Sequence, residues 1–503
     1  MKVKVWFISW LIIVISALLV LGFWVYKIDP YFHYHKPERD NYFYVLDNQR
    51  SQNDGISQNF EYDAIISGTS MVENFRKTET DELFGCNAIK IPFAGGRYKE
   101  INDSIERSLK VNDDVKLVIR CLDMLEPYII ADDVNAMRDD LGNYPTYLYD
   151  NNIFNDVKYL LNRDVIFGRI GQMFIDKNKK DFEPGITSFD DYSRWQEDYT
   201  FGINTVISND IEDVEPESGS HLTEEEKDII KRNIENNVIN VAVNNPDVEF
   251  YYFYSPYSIK SWGNWKAQDV LYKNLEIQAY MTELIVPHEN IHLFAFSNRT
   301  DIITDLNNYT DDWHYAGWVN SLILKWMHDG KYQLTLENYK DYFEQVYDFY
   351  STFDYTSING QRDYEADLYA AALLNKELTG VEPLAVLNDG KVSVDINGAD
   401  DIRDNESADI EFNVNLDDGY NYLCFEGRKI TNYGELTAYV YDEAGTIIRQ
   451  MKMDDVDTDN EVHQYVLDLS TANGNVTIVI GGEFVDDAEG GNSNYQISNV
   501  YMY

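Results

Sequence analysis

Residues Trp6 to Val25 form a run of about twenty apolar or small side chains, enough as a helix to cross a hydrocarbon core of ~30 Å. This run limits the chain more than any other feature, because it sets which side of a bilayer the remainder occupies. Lys2 and Lys4 precede it, and Trp6, Trp10, Trp24 and Tyr26 suit its two interfaces. The basic start keeps the N-terminus cytoplasmic and puts everything after Lys27 outside. A cleaved signal would need a shorter core and a small-x-small exit, whereas Gly22-Phe23-Trp24 is bulky. The expectation is an uncleaved cytoplasmic stub and transmembrane anchor over residues 1–27, in a single-pass protein of the cell membrane whose bulk is extracytoplasmic.

At 503 residues the chain is too long for one core. The formal net charge of −46 argues against nucleic acid and against an anionic membrane surface as partners. The three cysteines, Cys86, Cys121 and Cys424, show no CxxC spacing and read as small buried side chains.

Residues 28–60 carry Pro30 and Pro37 and no clear period, and read as a juxtamembrane connector. His33 and His35 alternate within it; such a pair could bind a metal, but packing or solvent exposure near the membrane is the reading preferred. From Asp63 short apolar runs alternate with helical patterns. Strands are expected at Ala64–Ser67, Ala88–Phe93, Val115–Leu122, Val248–Tyr254 and Ile291–Phe296. Helices are expected at Tyr98–Leu109, Thr223–Asn244 (with a Thr223/Glu226 capping box), Trp265–Ile285 and His314–His328. This rhythm predicts an α/β three-layer domain with a mostly parallel sheet over residues 61–378. An insertion at about 125–220, with acidic loops at Asp210–Glu217, reads as a lid or substrate wall, and Leu336–Lys376 reads as helical. From 384 to 503 short alternating runs between Gly, Asn and Asp turns predict a jelly-roll-like β-sandwich. It serves as a structural cap or a glycan-binding module.

The chemistry is expected where strand Ala64–Ile66 runs into Ser67-Gly68-Thr69-Ser70. Open α/β sheets bind ligands at the carboxyl ends of their strands. A serine there needs a base and a group to orient that base. Asp311-Asp312-Trp313-His314 supplies both: the carboxylate three residues before the histidine can hold one ring nitrogen while the other faces Ser70. The motif is weak alone and gains from its place before the last helix of the domain.

This order of blocks resembles the SGNH/GDSL hydrolase superfamily, over roughly Asp63 to Gly330. The resemblance implies Ser70 as nucleophile, in Gly68-Thr69-Ser70 where the family has Gly-Asp-Ser. It implies an oxyanion hole from the Ser70 amide and a glycine amide of Ala94-Gly95-Gly96, with Gly96 slightly preferred to Gly95. It implies Asp311 and His314 as the last block. Asp123, in Cys121-Leu122-Asp123, stands where the family has an asparagine amide, and an ionised carboxylate there would repel an oxyanion. The sequence Asp305-Leu306-Asn307-Asn308-Tyr309 with Tyr315 looks like the membrane-anchored cell-envelope branch of polysaccharide O-acetylation and teichoic-acid D-alanylation. The resemblance thus implies an esterase or O-acyltransferase acting on envelope glycan or teichoic acid. A membrane acyltransferase partner would present the acyl donor, and no metal or organic cofactor is needed. The alternative is a non-catalytic scaffold or glycan-binding component of such an assembly, and Asp123 favours it.

One rival motif, His288-Glu289-Asn290-Ile291-His292, matches the HExxH zinc signature. Pro287 would end the preceding helix, and Ile291–Phe296 reads as strand, so the two histidines would not share a helix face. Tyr254-Ser255-Pro256-Tyr257-Ser258 follows the fourth strand and reads as a strand-ending loop at the same sheet edge.

Overall fold

The computed structural model describes residues 2–123, 144–150, 152–180, 182–196, 199, 201–207, 220–363, 376–377, 379–396, 410–429, 435–452, 462–483 and 493–503. The acidic stretch Asp210–Glu217 and the end of the expected helix Leu336–Lys376 lie outside the described residues, as does part of the expected insertion. The chain begins with α1 (Lys2–Ile28), β1 (Phe43–Tyr44), α2 (Gln49–Asn59), β2 (Ala64–Gly68), α3 (Lys77–Phe84), β3 (Ala88–Pro92), α4 (Tyr98–Val111) and β4 (Leu117–Cys121). There follow α5 (Val157–Leu160), α6 (Gly171–Lys177), β5 (Gly185–Ile186), α7 (Glu224–Ile234), β6 (Glu249–Tyr254), α8 (Ile259–Ala267), α9 (Leu271–Ile285), β7 (Ile291–Ala295), α10 (Gly317–His328), β8 (Gln333–Leu334) and α11 (Tyr339–Thr352). The last part holds β9 (Leu384–Ile396), β10 (Ile410–Asn415), β11 (Tyr422–Lys429), β12 (Glu435–Tyr441), β13 (Ile447–Lys452), β14 (His463–Asp468), β15 (Asn475–Glu483) and β16 (Ser493–Met502).

A six-stranded sheet has the order β3-β2-β4-β6-β7-β8. Strand β2 pairs in parallel with β3 and β4, and β4 with β6. Every residue of β2, β3 and β4 is buried, as a parallel sheet covered on both faces demands. The five expected strands are all present, within two residues of their expected ends. The Thr223/Glu226 capping box opens α7 as expected. One expected helix is two: Asp269, at φ 59°, separates α8 from α9, and Ser258 caps α8 through the Ser261 amide.

The described chain divides into two compact units. The first comprises Met1–Ser193, Thr223–Phe253 and Met281–Leu293; the second comprises Arg194–Leu222, Tyr254–Tyr280 and Phe294–Tyr503. In the first unit α1 is long and apolar enough to cross a membrane. The connector after it holds a helix that its pattern did not announce. The buried face of α2 is Gln52, Asn53, Asp54, Gly55, Ile56 and Ser57, almost all polar or without a side chain. Asn53 accepts from Tyr192 Oη at 2.7 Å and donates to the Pro92 carbonyl, while Gln52 reaches the Val45 carbonyl at 2.9 Å. Hydrogen bonds rather than apolar area therefore hold this helix in place, so no hydrophobic period marks it.

In the second unit β9–β16 form two four-stranded antiparallel sheets, β10-β15-β12-β13 and β14-β11-β16-β9. Their core includes Leu423, Phe425, Ala438, Val440, Leu467, Ile478, Ile480 and Ile497. Strand β13 pairs with β12 across the tight turn at Asp442–Thr446. The sandwich packs on α10 through an edge-to-face contact of Trp318 with Tyr422, centroids 5.3 Å apart. Arg194 and Asp468, each 2% exposed in its side chain, make a buried ion pair nearby. Cys121 and Cys424 are buried as expected, whereas Cys86 is half-buried; none is in a disulfide.

Candidate active site

Strand β2 ends at Gly68, and Ser70 opens a single 3₁₀ turn, Ser70–Val72. A Cβ on Gly68 would lie 2.8 Å from Val72 Cγ1 and 3.0 Å from Cys121 Cβ, so a side chain there would push the serine turn off β4. Thr69 caps the turn: its hydroxyl accepts from the Met71 amide at 3.4 Å and donates to the Asp123 carboxylate. Beneath the turn, the fully buried Lys90 of β3 donates to the carbonyls of Glu73 at 2.6 Å and Phe75 at 3.1 Å. A cation at that depth must be hydrogen-bonded. The chain segment that follows Ser70 supplies the acceptors and is thereby pinned.

The Ala94-Gly95-Gly96 loop follows β3. The first turn of α2 braces it: Gln49 accepts from the Ala94 amide at 2.6 Å, and Arg50 donates to the Ala94 carbonyl at 3.0 Å while pairing with Glu100 at 2.8 Å. Gly95 adopts a left-handed conformation, φ 60°. The Gly96 amide, expected as an oxyanion donor, instead donates to the Phe93 carbonyl at 2.6 Å. Its hydrogen is thus used within the loop. A Cβ on Gly96 would stand 2.7 Å from both Phe93 Cβ and that carbonyl oxygen.

Asp123 is 5% exposed at the end of β4. One carboxylate oxygen accepts from Thr69, and the Cys121 thiol lies 3.6 Å from the other. The Tyr98 hydroxyl donates to the Asp123 carbonyl at 2.8 Å. Ser70, Gly95, Gly96 and Asp123 all belong to the first unit.

Asp311 and His314 belong to the second unit. Asp311 Oδ2 lies 2.7 Å from His314 Nδ1, while Oδ1 accepts from the amides of Trp313 and His314, both at 2.8 Å. This fixes the ring and favours the tautomer with its proton on Nδ1. Burial pushes the Asp311 carboxyl up, but the His314 hydrogen bond and charge and the two amides outweigh it and leave it below the usual carboxylate range. Trp195 meets the His314 ring edge-on, centroids 5.5 Å apart. The segment is anchored by residues that sequence reasoning passed over. Ser258 and Ser261 both donate to the Asp312 carbonyl, the former at 2.7 Å, and Asn264 donates to the Asp312 carboxylate at 2.7 Å. Tyr309 donates to the Pro256 carbonyl at 2.7 Å. The loop read as a strand ending therefore positions the Asp311–His314 block. Its signal was a serine one residue before a helix start, an N-cap.

The HExxH residues fall in a turn and on β7 rather than on one helix, and His292 lies 2.7 Å from Glu249. His35 bonds its own neighbourhood, Nδ1 to the Lys36 carbonyl at 2.8 Å and Nε2 to that of Tyr26 at 2.9 Å. A cavity of about 450 Å³ is lined by Tyr31, Phe43, Tyr44, Arg169, Met173 and neighbours, and by none of the predicted catalytic residues.

No family model and no curated protein matches the chain. Among solved structures it is similar to a Streptococcus pneumonia protein assigned provisionally as a platelet activating factor, at 12% identity over 59% of this chain and 91% of that one, TM-score 0.26. It is also similar to a two-domain esterase active on acetylated mannans, at 9% identity over 87% and 89%, TM-score 0.23. A third is the capsular polysaccharide assembling protein CapF from Staphylococcus aureus, at 10% identity over 87% and 95%, TM-score 0.16. Likenesses at these TM-scores carry no argument about activity, which rests on the residues.

Proposed function

We propose that this protein is a membrane-tethered, extracytoplasmic serine esterase or O-acyltransferase of the SGNH type, acting on cell-envelope glycan or teichoic acid. Ser70 Oγ attacks the carbonyl of an acyl ester or thioester. His314 Nε2 takes its proton and returns it to the leaving alcohol or thiol, and Asp311 holds the imidazole throughout. The oxyanion falls to the amides of Ser70 and Gly95. The acyl-enzyme then passes its acyl group to water or to an acceptor hydroxyl. A membrane acyltransferase presenting the donor is the partner this reading calls for.

The observation that carries the proposal is the Asp311 carboxylate on His314 Nδ1 at 2.7 Å. A carboxylate so placed orients a catalytic base. Two further features support it: the buried strand that delivers Ser70 to a sheet edge, and the apolar helix α1. The proposal requires Ser70 Oγ within hydrogen-bond reach of His314 Nε2. Fluorophosphonate labelling tests it. The parent should label, and Ser70→Ala and His314→Ala should not, with circular dichroism confirming that each is folded. Acyl-ester turnover with and without a glycan acceptor then separates hydrolase from transferase.

One observation favours a second reading, a non-catalytic scaffold or glycan-binding component. Asp123 brings a carboxylate to the place where an amide donor would be expected, and it is engaged by Thr69. A folded parent that takes no label would support that reading.

A further inference from the structure

Residues 152–180 of the first unit run against the character of the rest of the chain. They hold six basic side chains, Lys158, Arg163, Arg169, Lys177, Lys179 and Lys180, against three acidic ones, Asp156, Asp164 and Asp176. That is a local excess of three positive charges in a chain of −46. The same stretch exposes large apolar side chains: Phe154 is 85% exposed, Ile153 74%, Phe167 69% and Ile175 61%. Ile153 and Phe154 lie in the turn before α5, Phe167 on the π-helix Asp164–Ile170 and Ile175 on α6, while Val165, Ile170 and Met173 face inward. A soluble surface seldom gathers such side chains in one short segment without a partner.

The position of the segment says what the partner is. It packs on the last turns of α1: a Cβ on Gly22 would be 3.7 Å from Leu160 Cβ, and Trp24 meets Phe174 edge-on with centroids 5.6 Å apart. If Trp6–Val25 fills the hydrocarbon core, Gly22 and Trp24 lie at its outer boundary, and so does whatever touches them. Asp29, fully buried just beyond α1, makes the junction rigid. Its carboxylate accepts from the amides of His33, Tyr34 and His35 and from Tyr159 Oη at 2.8 Å. The exposed apolar groups and the local positive charge lie on the same segment that packs on α1.

We propose that residues 152–180 form a second membrane contact. Phe154, Phe167 and Ile175 enter the headgroup and acyl boundary beside α1, and Lys158, Arg163, Lys177 and Lys180 meet anionic headgroups. The segment expected as a lid or substrate wall is thus a footing. It holds the domain against the outer leaflet instead of leaving it on a loose tether. This inference rests on α1 spanning the bilayer.

The test uses the full chain in liposomes of phosphatidylglycerol and phosphatidylcholine. A Cys86→Ser background carries one environment-sensitive label at a time, on Phe154→Cys, Phe167→Cys, Ile175→Cys, Leu18→Cys, Val111→Cys or Val243→Cys. Nitroxide-bearing lipids should quench the first four by about twofold or more, as for groups roughly 5–10 Å into the boundary or deeper, and leave positions 111 and 243 unchanged. Quenching at Leu18 without quenching at 154, 167 and 175 overturns the footing and spares the anchor. No quenching at Leu18 overturns the anchor itself. Equal quenching at 111 and 243 also overturns the footing, since the whole domain would then adsorb. Lys177→Gln with Lys179→Gln and Lys180→Gln should weaken quenching at 154 in anionic vesicles, and no change overturns the role given to charge.

Discussion

The Thr69 hydroxyl donates to the carboxylate of Asp123, fifty-four residues on, across the ends of neighbouring parallel strands β2 and β4. The bond ties the turn that carries Ser70 to the end of the next strand. It also gives a buried carboxylate the partner it needs. Asp123→Asn keeps an acceptor for Thr69 and adds an amide, so it should fold with stability within about 1 kcal/mol of the parent and label at least as fast. Asp123→Ala and Thr69→Val each remove one half of this buried bond and should cost about 1–3 kcal/mol in urea unfolding. Slower labelling by Asp123→Asn would mean that the carboxylate itself serves the reaction.

Gly55 makes α2 dockable. A Cβ there would come within 2.2 Å of the Tyr31 carbonyl oxygen and 2.7 Å of the Phe32 carbonyl. Both are backbone atoms, which cannot swing aside as a side chain tip can. Gly55→Ala should therefore separate α2 from the connector and lower the unfolding midpoint by several degrees, corresponding to a loss of about 1–3 kcal/mol. Because α2 also braces Ala94, labelling at Ser70 should fall with it. An unchanged midpoint would mean that the helix does not pack as described.

The Asp311–His314 pair has a definite pH signature. With its folded-state carboxyl held below the ordinary range, Asp311 contributes stability above the unfolded carboxylate pKa of about 3.9 and loses it as pH falls through the lower folded value. Asp311→Asn should be less stable than the parent at neutral pH, and the gap should close on acidification. Denaturant midpoints measured across that range would show it, and a gap that widens in acid would reverse the assignment.

Ser258 and Ser261 converge on one carbonyl, that of Asp312. Replacing both by alanine leaves that half-buried acceptor without either and frees the segment that carries His314. The expected result is about a tenfold slower labelling, equivalent to ~1.4 kcal/mol, with the fold retained. Full labelling speed in a folded double variant would show that the anchor does not matter to Ser70.

The buried pair Arg194–Asp468 joins the start of the second unit to the sandwich strand β14. Asp468→Ala takes the paired carboxylate from a buried guanidinium and should cost about 3–5 kcal/mol, whereas Arg194→Met with Asp468→Leu should cost far less. Thermal unfolding of the two variants gives the comparison.

Much of this protein is dictated locally. The apolar run of α1, the strands β2, β3, β4, β6 and β7, the Thr223/Glu226 cap and the alternation of the sandwich each follow from side chains within a few residues of one another. So does the Asp311–His314 pair, since three residues is a span that a short turn closes by itself. Polar groups whose partners are distant in the chain find them only as it folds. Helix α2 is held by Asn53 on Tyr192 and Gln52 on Val45; Lys90 ends on carbonyls beyond Ser70; Asp123 finds Thr69. Hydrophobic burial is non-directional, and its period can be read from the chain. A buried hydrogen bond has its value only when a particular partner arrives at a particular distance, and that is fixed when the chain folds.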